Sequence, residues 1–409
     1  MVKNIGVFGR RNVGKSSFVN SFAGQEVSIV SPVAGTTTDP VKKRIEIFGA
    51  GICNIIDTAG IDDFGEVGEL RAEKSKEVTD KVDMAILLFA DNCFGRSEMQ
   101  LLEYFRGKKV PLLLLHNKSD ITPLDPSLAQ ELKGRYSADV LEYSCNLGSQ
   151  ELEKERKCVA AMVVKLLSEA AGYKERPILE GFVEKNDLIL LVCPIDSQAP
   201  SKRLILPQVM AIRDVLDNGG EAVVLQPAQL PDFIAKAKRD GLKIKLTVTD
   251  SQAFAEVNSI LPHEIPLTGF SILMARAKGS FDLYLKGLES IGTLNSGDSV
   301  LILESCTHHA GCEDIGRVKI PEMLRKYLAE MRGEADFFLH FDFVAGAGRI
   351  DPEKNYRLAI QCGGCMVTKR ELVNRVDTLA ARSIPVTNYG MTLAFLNGMM
   401  ERIIYEPQK

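Results

Sequence analysis

The stretch Gly9-Arg10-Arg11-Asn12-Val13-Gly14-Lys15-Ser16 follows a short apolar run, Ile5 to Phe8, and leads into the segment Ser17 to Phe22. Its glycines let the backbone turn tightly and bring N–H groups to phosphate oxygens, while the lysine and serine supply a cation and a Mg²⁺ ligand. A helix that begins near Lys15 would add its N-terminal dipole. The pattern predicts a P-loop between a strand and a helix, and therefore an α/β fold that binds a nucleoside phosphate.

Three further motifs follow in order, each behind a strand-like apolar run, and they predict that the base is guanine. Asp57-Thr58-Ala59-Gly60 supplies a carboxylate for the Mg²⁺ shell and a glycine N–H for the γ-phosphate. Asn117-Lys118-Ser119-Asp120 supplies a carboxylate for N1–H and the 2-amino group of guanine, which adenine lacks. Ser144-Cys145 follows the next short strand, where a backbone N–H could reach guanine O6. Motifs at the carboxyl ends of successive strands fit ligand binding by an open parallel sheet.

The loop from Ser31 to Asp39 lies where GTPases have their first switch, and we expect Thr37 to bind Mg²⁺ only while the γ-phosphate is present. The second switch would begin at Gly60. We predict that Lys15, Thr37 and Gly60 are the catalytic residues. The predicted nucleotide-binding residues are Asn12, Val13, Gly14, Lys15, Ser16, Ser17, Thr37, Asp57, Gly60, Asn117, Lys118, Asp120, Ser144 and Cys145, with Ser16, Thr37 and Asp57 around the magnesium ion.

Composition narrows the class of protein. The chain has 409 residues, 25% of them charged, and a net charge of −4, which gives no electrostatic case for a nucleic-acid or membrane partner. No signal or transit segment precedes the first strand, so we expect a cytoplasmic protein. Nine cysteines in a reducing compartment argue against a disulfide framework. Three of them, Cys53, Cys158 and Cys193, lie in apolar runs and are predicted core residues.

Alternating strand-like and helix-like runs predict an α/β protein of three domains. Residues 1–170 are typical of a P-loop GTPase domain with a doubly wound, mostly parallel sheet. Residues 171–264 alternate again, without a glycine fingerprint or an ionisable cluster, and we interpret them as an α/β dimerisation domain of a homodimer. Residues 265–409 form the third predicted domain.

The third region contains a constellation of cysteines. The strand-like run Ser299 to Leu303 ends near Cys306, and the run Tyr356 to Ile360 ends near Cys362-Gly363-Gly364-Cys365. Adjacent pairing of these strands would bring three thiolates together. Three chemistries then fit: an iron–sulfur cluster with one open iron, a structural zinc with His308 as fourth ligand, or a redox dithiol. The residues by themselves leave these alternatives open.

The nucleotide motifs resemble those of the Era- and TrmE-like GTPases in three forms: Gly-Arg-x-Asn-Val-Gly-Lys-Ser-Ser, Gly-Thr-Thr-x-Asp and Asp-Thr-Ala-Gly. Ile61 stands where Ras-like proteins carry the glutamine that orients water, so we expect slow intrinsic hydrolysis. The resemblance implies that K⁺ stimulates hydrolysis and is held in part by Asn12.

Three segments behind this GTPase resemble the HydF family of FeFe-hydrogenase maturation GTPases. They are Cys306 to His309, Glu313 to Pro321 and Cys362 to Met366, and the resemblance covers essentially the whole chain. It implies a 4Fe–4S cluster on Cys306, Cys362 and Cys365, which makes the third region an α/β iron–sulfur domain. It also implies a scaffold that receives a transient diiron precursor from two radical-SAM maturases and delivers it to apo FeFe-hydrogenase.

The chain departs from the pattern of that family at one position. Many members have histidine directly before the Cys-x-x-Cys, and this chain has Gln361, which offers no imidazole. We therefore expect the fourth iron to be exchangeable, near His308 or Glu313.

The alternative function is a tRNA- or ribosome-associated GTPase with a structural zinc. Such a protein usually carries a basic or aromatic nucleic-acid surface. This chain has no tryptophan and no basic stripe, so we favour the scaffold.

Overall fold

The structure is a computed structural model that describes residues 2–24, 42–58, 79, 82–170, 176–195, 204–279, 281–305, 314–346, 348, 350–364 and 367–403. It divides into two compact units, Met1–Glu175 and Arg176–Lys409. Within the described ranges, no helix is both long enough and apolar enough to cross a bilayer.

The first unit is built on one twisted sheet whose six described strands pair in the order β2-β3-β1-β4-β5-β6. The strands are β1 (Lys3–Phe8), β2 (Lys42–Ile47), β3 (Gly51–Asp57), β4 (Met84–Ala90), β5 (Leu112–Asn117) and β6 (Val140–Tyr143). The helices are α1 (Lys15–Phe22), α2 (Arg96–Gly107), α3 (Pro126–Tyr136) and α4 (Ser149–Glu169). All pairings are parallel except β2 with β3, so the predicted mostly parallel sheet is confirmed.

Both faces of this sheet are covered, which explains why the central strand β4 is apolar at every position. Strand β4 is buried along its whole length. Its alternate residues enter two different cores: Ile86 packs in the core that contains Val159 and Val163 of α4, and Leu87 packs in the core that contains Phe105 of α2. Side chains that alternate between two buried faces are expected of a parallel strand in a doubly wound fold.

Of the three cysteines that were predicted to be core residues, two are buried in this way. Cys53 on β3 and Cys193 after β7 are buried, as predicted. Cys158 is exposed, so the prediction of a core position was wrong. Helix α4 buries Val159, Val163 and Leu167, which are spaced four apart, and Cys158 lies off that stripe.

The second unit contains two parallel sheets, each with four described strands. The first pairs in the order β10-β9-β7-β8: β7 (Leu188–Val192), β8 (Glu221–Leu225), β9 (Ile244–Thr249) and β10 (Leu267–Gly269). The second pairs in the order β12-β11-β13-β14: β11 (Ser299–Glu304), β12 (His340–Ala345), β13 (Leu358–Gln361) and β14 (Val386–Asn388). The helices are α5 (Leu206–Asp217), α6 (Leu230–Asp240), α7 (Phe254–Ile260), α8 (Phe270–Lys278), α9 (Phe281–Glu289), α10 (Ile320–Arg332), α11 (Lys369–Ala381) and α12 (Tyr389–Leu396), with a π-helix over Ile315–Lys319.

The two sheets of this unit share one continuous hydrophobic core. It includes Leu190 on β7, Ile302 on β11 and Ile360 on β13. The first sheet also runs past the predicted boundary at residue 264, because β10 pairs in parallel with β9. The domain limits 1–170, 171–264 and 265–409 stay predictions.

The two strands that precede the cysteine motifs are neighbours, which is the arrangement that the convergence of the thiolates requires. Strand β11 pairs in parallel with β13, with Leu303 opposite Gln361. The N–H of Cys362 continues the ladder by donating to the carbonyl oxygen of Leu303, at 2.9 Å. The segments that follow β11 and β13 therefore leave the sheet side by side.

Candidate functional site

The P-loop adopts the tight turn that its glycines predicted. Gly14 caps α1 with a φ of 93°, and Asn12 has a φ of 63°, so the loop passes through left-handed backbone twice. A Cβ at Gly14 would collide with Nδ2 of Asn117. Only glycine fits at Gly14, and its presence lets the loop and the guanine-recognition motif approach each other.

Lys15 lies across the loop that precedes it. The side chain is buried, and its Nζ donates to the carbonyl oxygens of Gly9 at 2.8 Å and Arg10 at 2.7 Å. The ammonium is thus held against the loop whose N–H groups would receive phosphate oxygens. A cation at this place can oppose the charge that develops on the outer phosphates.

The two described residues that were predicted to bind magnesium meet at the ends of β3 and the P-loop. Ser16 Oγ donates to Asp57 Oδ2 at 2.6 Å. The other carboxylate oxygen, Asp57 Oδ1, is buried and has no hydrogen-bond partner among the residues that the structure describes. A buried carboxylate oxygen without a donor is costly unless a cation satisfies it. This hydroxyl–carboxylate pair therefore fits the oxygen ligands that Mg²⁺ prefers.

The guanine end of the site is an ordered hydrogen-bond network. Asn117 Nδ2 donates to the carbonyl oxygen of Val13 at 2.8 Å, which ties this motif to the P-loop. Asp120 Oδ1 accepts from Ser144 Oγ at 2.5 Å, and its Oδ2 accepts from Asn146 Nδ2 at 3.3 Å. The hydroxyl of Ser144 is the main cause that lowers the pKa of Asp120. An ionised, exposed carboxylate held in this way can accept two N–H groups from one edge of guanine.

A side chain of helix α4 holds the loop after β6 through a hydrogen bond. The N–H of Ser144 donates to Glu155 Oε2 at 2.8 Å, and the N–H of Asn146 donates to Ser144 Oγ at 3.1 Å. Burial raises the pKa of the Cys145 thiol, so this thiol is neutral at neutral pH. Its side chain therefore adds no charge beside the base.

One feature of the P-loop was missed by the sequence analysis. Arg10 forms a bidentate ion pair with Glu98 at the start of α2, with Nε–Oε1 and Nη2–Oε2 distances of 2.5 and 2.8 Å. The Glu98 side chain is 0% exposed, and its Oε2 also accepts from the N–H of Gly95. The sequence contains one indication of this role for Glu98. Its spacing from Gly95 is the spacing of the two residues of a capping box at the start of a helix, here with glycine as the cap.

The remaining predicted residues of the nucleotide site lie outside the described residues. They are Thr37 and Gly60, together with Ile61 and the two switch segments to which these residues belong. Their roles stay predictions.

Cys362 is the described member of the cysteine constellation. Its Sγ lies 3.1 Å from the N–H nitrogen and 2.8 Å from the Oγ of Ser305, and 3.5 Å from Nε2 of Gln361. N–H and amide donors that converge on a sulfur stabilise a thiolate, which is the form that binds metal. Gln361, which replaces the histidine of the family pattern, thus serves the sulfur as a hydrogen-bond donor.

The other predicted cluster ligands, Cys306, Cys365, His308 and Glu313, lie outside the described residues. In the described part of the chain, no three His, Cys, Asp or Glu side chains are grouped to hold a metal ion. The donor set around Cys362 is the structural observation that fits a thiolate ligand.

Charged and hydroxyl side chains surround the end of β11 beside Cys362. Glu304 forms a bidentate pair with Arg317 of the π-helix, with a shortest N–O distance of 2.8 Å, and its carbonyl oxygen accepts from Arg375 at 3.3 Å. Burial raises the pKa of Tyr389 well above its ordinary value, and the negative charge of Cys362 acts in the same direction. The Tyr389 hydroxyl therefore stays protonated and can donate.

Comparisons with known families assign all three parts of the chain. Residues 178–279 match the hydrogen maturase F dimerization domain, and residues 282–406 match the hydrogen maturase F tetramerization domain. Residues 4–118 match the 50S ribosome-binding GTPase family.

Individual relatives match the GTPase part only. The tRNA modification GTPase MnmE of Herminiimonas arsenicoxydans is 37% identical over 130 residues, which are 31% of this chain and 28% of that protein. GTPase Der of Campylobacter hominis is 41% identical over 122 residues, or 29% and 26% of the two chains. The chain thus spans little more than a quarter of the length of these curated relatives. A crystal structure of an Aquifex aeolicus Era variant bound to GDP and AlF₄⁻ is 22% identical, with a TM-score of 0.33 and coverage of 40% of this chain and 56% of that one.

Proposed function

Since the chain belongs to the HydF (hydrogen maturase F) family of hydrogenase maturation GTPases, we propose that it is a GTP-hydrolysing scaffold for the hydrogenase active-site cofactor. In this proposal it binds a 4Fe–4S cluster, accepts a diiron precursor from two radical-SAM maturases, and delivers the precursor to apo FeFe-hydrogenase in the cytoplasm. The observation that carries the proposal is the order of the three matched domains along the chain, with a described cysteine site in the last of them.

The GTPase half of the proposal is supported by the contacts of the P-loop. Lys15 holds a buried cation beside the phosphate-binding loop, and Ser16 and Asp57 lie in contact where a Mg²⁺ ion would be bound. Ser16 and Asp57 would hold that ion, which would supply positive charge to the outer phosphates. We propose that Thr37 and Gly60 complete the γ-phosphate site and that hydrolysis to GDP and phosphate is slow, because Ile61 cannot orient water.

Potassium dependence is a separate part of the proposal. Asn12 lies in left-handed backbone directly before Val13 and Gly14. We propose that its side chain contributes an oxygen ligand to the potassium ion. We expect faster GTP hydrolysis in KCl than in NaCl at equal ionic strength, and an Asn12→Ala variant should lose that difference. Equal rates in the two salts would remove the potassium site from the proposal and leave the rest intact.

The cluster half of the proposal is supported by the donors on Cys362. We propose Cys306, Cys362 and Cys365 as the three thiolate ligands, with His308 or Glu313 at an exchangeable fourth iron. An exchangeable position suits a carrier, because the precursor must attach and later leave.

The experiment that tests the cluster is EPR spectroscopy with iron and zinc analysis on protein reconstituted anaerobically and reduced with dithionite. We expect about four irons per chain and a 4Fe–4S signal. Stoichiometric zinc without an inducible iron signal would instead favour a structural zinc site. That outcome would favour the alternative of a tRNA- or ribosome-associated GTPase, whose named relatives resemble this chain only within its GTPase domain.

The two C-terminal parts of the chain match a dimerization and a tetramerization domain, so we expect the protein to form oligomers. We propose a homodimer through residues 178–279. Strand β8 lies at the edge of its sheet, and Val224 on it is 42% exposed. On helix α5, which packs beside β8, Val209 and Leu216 are exposed as well. An open strand edge beside apolar side chains is a surface that a second copy can cover. A Val224→Lys variant should therefore shift toward monomer in sedimentation experiments.

A further inference from the structure

Lys278 occupies an unusual place at the end of α8. Its side chain is 1% exposed, although lysine is almost never fully buried. Its Nζ donates to the carbonyl oxygen of Gly364 and, at 3.0 Å, to that of Val367. Both acceptors belong to the loop that begins at Cys362. A buried ammonium is therefore fixed to the loop that carries two of the proposed cluster ligands.

The loop is shaped to receive this contact. Gly364 has a φ of 67°, and a Cβ there would collide with Leu372 of α11, so a side chain at this position is excluded twice. Ser271, in the first turn of α8, lies under Gly363. Helix α8 thus packs against the cysteine loop at its start through Ser271 and at its end through the side chain of Lys278.

The contact also joins two domains. Lys278 belongs to the range that matches the dimerization domain, and Gly364 and Val367 belong to the range that matches the tetramerization domain. No sequence motif connects position 278 to the loop that it contacts, and Gly364 follows it by 86 residues.

The positive charge has a direct chemical consequence. A cluster held by three thiolates is anionic and gains one further negative charge when it is reduced. A cation in a buried environment is weakly screened by salt, so it stabilises the more negative, reduced form. The net charge and hydrogen bonding around a cluster are established determinants of its reduction potential.

We propose that Lys278 is a positioning residue of the cysteine site: it ties Gly364 and Val367 to helix α8 and raises the reduction potential of the cluster bound at this site. This proposal rests on the cluster-binding function proposed above. Removal of the charge should lower the potential and loosen the loop, so that iron is lost to a chelator more quickly.

The test compares Lys278→Met with Arg276→Met in the full chain. Methionine keeps the length of the lysine side chain and removes its charge. Arg276 is on the same helix, but its guanidinium lies over the Phe182 ring and donates to the carbonyl oxygen of Glu180. Both variants change the net charge by one unit, and only one changes the charge at the loop.

The potential of the reconstituted cluster is measured by EPR-monitored redox titration, and iron release is followed with bathophenanthroline. We expect a more negative potential and faster release in Lys278→Met, and wild-type values in Arg276→Met. Equal potentials and release rates in all three proteins would overturn the proposal. A wild-type protein that binds no cluster would instead remove the proposed function, which keeps the two failures distinct.

Lys278→Arg covers the case in which Lys278→Met folds but takes up no iron. Recovery of iron in the arginine variant supports the role of the buried charge, because the guanidinium restores the cation and its donors. Absence of iron in both variants, with thermal unfolding of the apoprotein unchanged, overturns it.

Discussion

The nucleotide site and the cysteine site both lie where parallel strands end, yet they are assembled in different ways. In the nucleotide site, the important contacts join residues of the motifs themselves, as between Ser16 and Asp57 or between Asn117 and Val13. Around the cysteine site, several contacts come from residues outside any motif. Ser305 donates to the sulfur of Cys362, Arg375 donates to the carbonyl oxygen of Glu304, and Lys278 donates to that of Gly364. The nucleotide site can therefore be inferred from sequence motifs, whereas the cysteine site depends on contacts that form only when the chain has folded.

Among variants that should affect one site and not the other, Cys362→Ala should have the largest effect. Loss of a thiolate ligand should abolish the cluster, while GTP hydrolysis continues at nearly the wild-type rate. Iron content, EPR and phosphate release measure the two properties on one sample. Cys158→Ala is the matched control, because Cys158 is exposed on α4 and removes one thiol without touching either site. Iron that persists in the Cys362 variant would contradict the ligand assignment.

Asp120→Asn should have the opposite effect on the two sites: it should weaken GTP binding and leave the cluster intact. Guanine would lose two charge-assisted hydrogen bonds of about 1.5–3 kcal/mol each, so GTP affinity should fall at least about a hundredfold. The new amide can donate where the carboxylate accepted, and xanthosine triphosphate presents a carbonyl oxygen at that position. We therefore expect a gain in affinity for xanthosine triphosphate, measured by calorimetry.

The cluster should be unchanged in the Asp120 variant, since the residue belongs to the first unit and Cys362 to the second. Asp139 offers a control, because it is an exposed aspartate of the same unit in a surface ion pair with Lys133. An Asp139→Asn protein should bind GTP normally. Unaltered base preference in Asp120→Asn would refute the guanine-recognition role.

A smaller effect is expected at the ion pair between Arg10 and Glu98. Glu98→Gln keeps the shape of the side chain but removes the charge that a buried bidentate pair requires, and we expect a loss of about 2 kcal/mol in the stability of the first unit. Thermal and urea unfolding measure it. Glu153→Gln breaks an exposed pair with Lys157 on α4 and should cost only about 0.3–0.5 kcal/mol. Equal losses of stability in the two variants would mean that the burial of Glu98 does not strengthen its ion pair with Arg10.

These contrasts also explain how far the sequence could be used for prediction. The apolar runs Ile5 to Phe8, Ser299 to Leu303 and Tyr356 to Ile360 correspond to β1, β11 and β13 with small shifts, because apolar runs report burial directly. The cysteines that follow β11 and β13 indicated only that adjacent pairing of these strands would bring the thiolates together, and the structure shows that pairing. Lys278 could not be found in this way, and the spacing of Gly95 and Glu98 indicates a helix start but not the ion pair with Arg10. A buried charge pair is recognised only when its partners, distant in sequence, are known.

Hydrophobic periodicity also does not show where one packed domain ends and the next begins. The sequence analysis predicts that the middle domain ends at residue 264. The structure continues the first sheet of the second unit through Gly269, and α8 carries Lys278 onward to the cysteine loop. Sheets that share a core leave no polar linker, so composition does not mark the point at which one domain ends.

The smallest effect concerns the electrostatics of the guanine-binding carboxylate. The hydroxyl of Ser144 lowers the pKa of Asp120, so Ser144→Ala should raise that pKa toward the ordinary aspartate value. The carboxylate of the variant would then begin to take up protons at a higher pH than in the wild type, and its affinity for the N–H groups of guanine would fall with acidification earlier. NMR titration of the side-chain carboxyl carbon measures the shift directly. Asp125 is an internal reference, because its pKa is also lowered but by the N–H and hydroxyl of Ser127, which the substitution leaves in place. A rise at Asp120 with no change at Asp125 would show that the network at the end of β6 sets the charge state of the base-recognition group. A rise at both would point to a general change in the domain and remove Ser144 from that role.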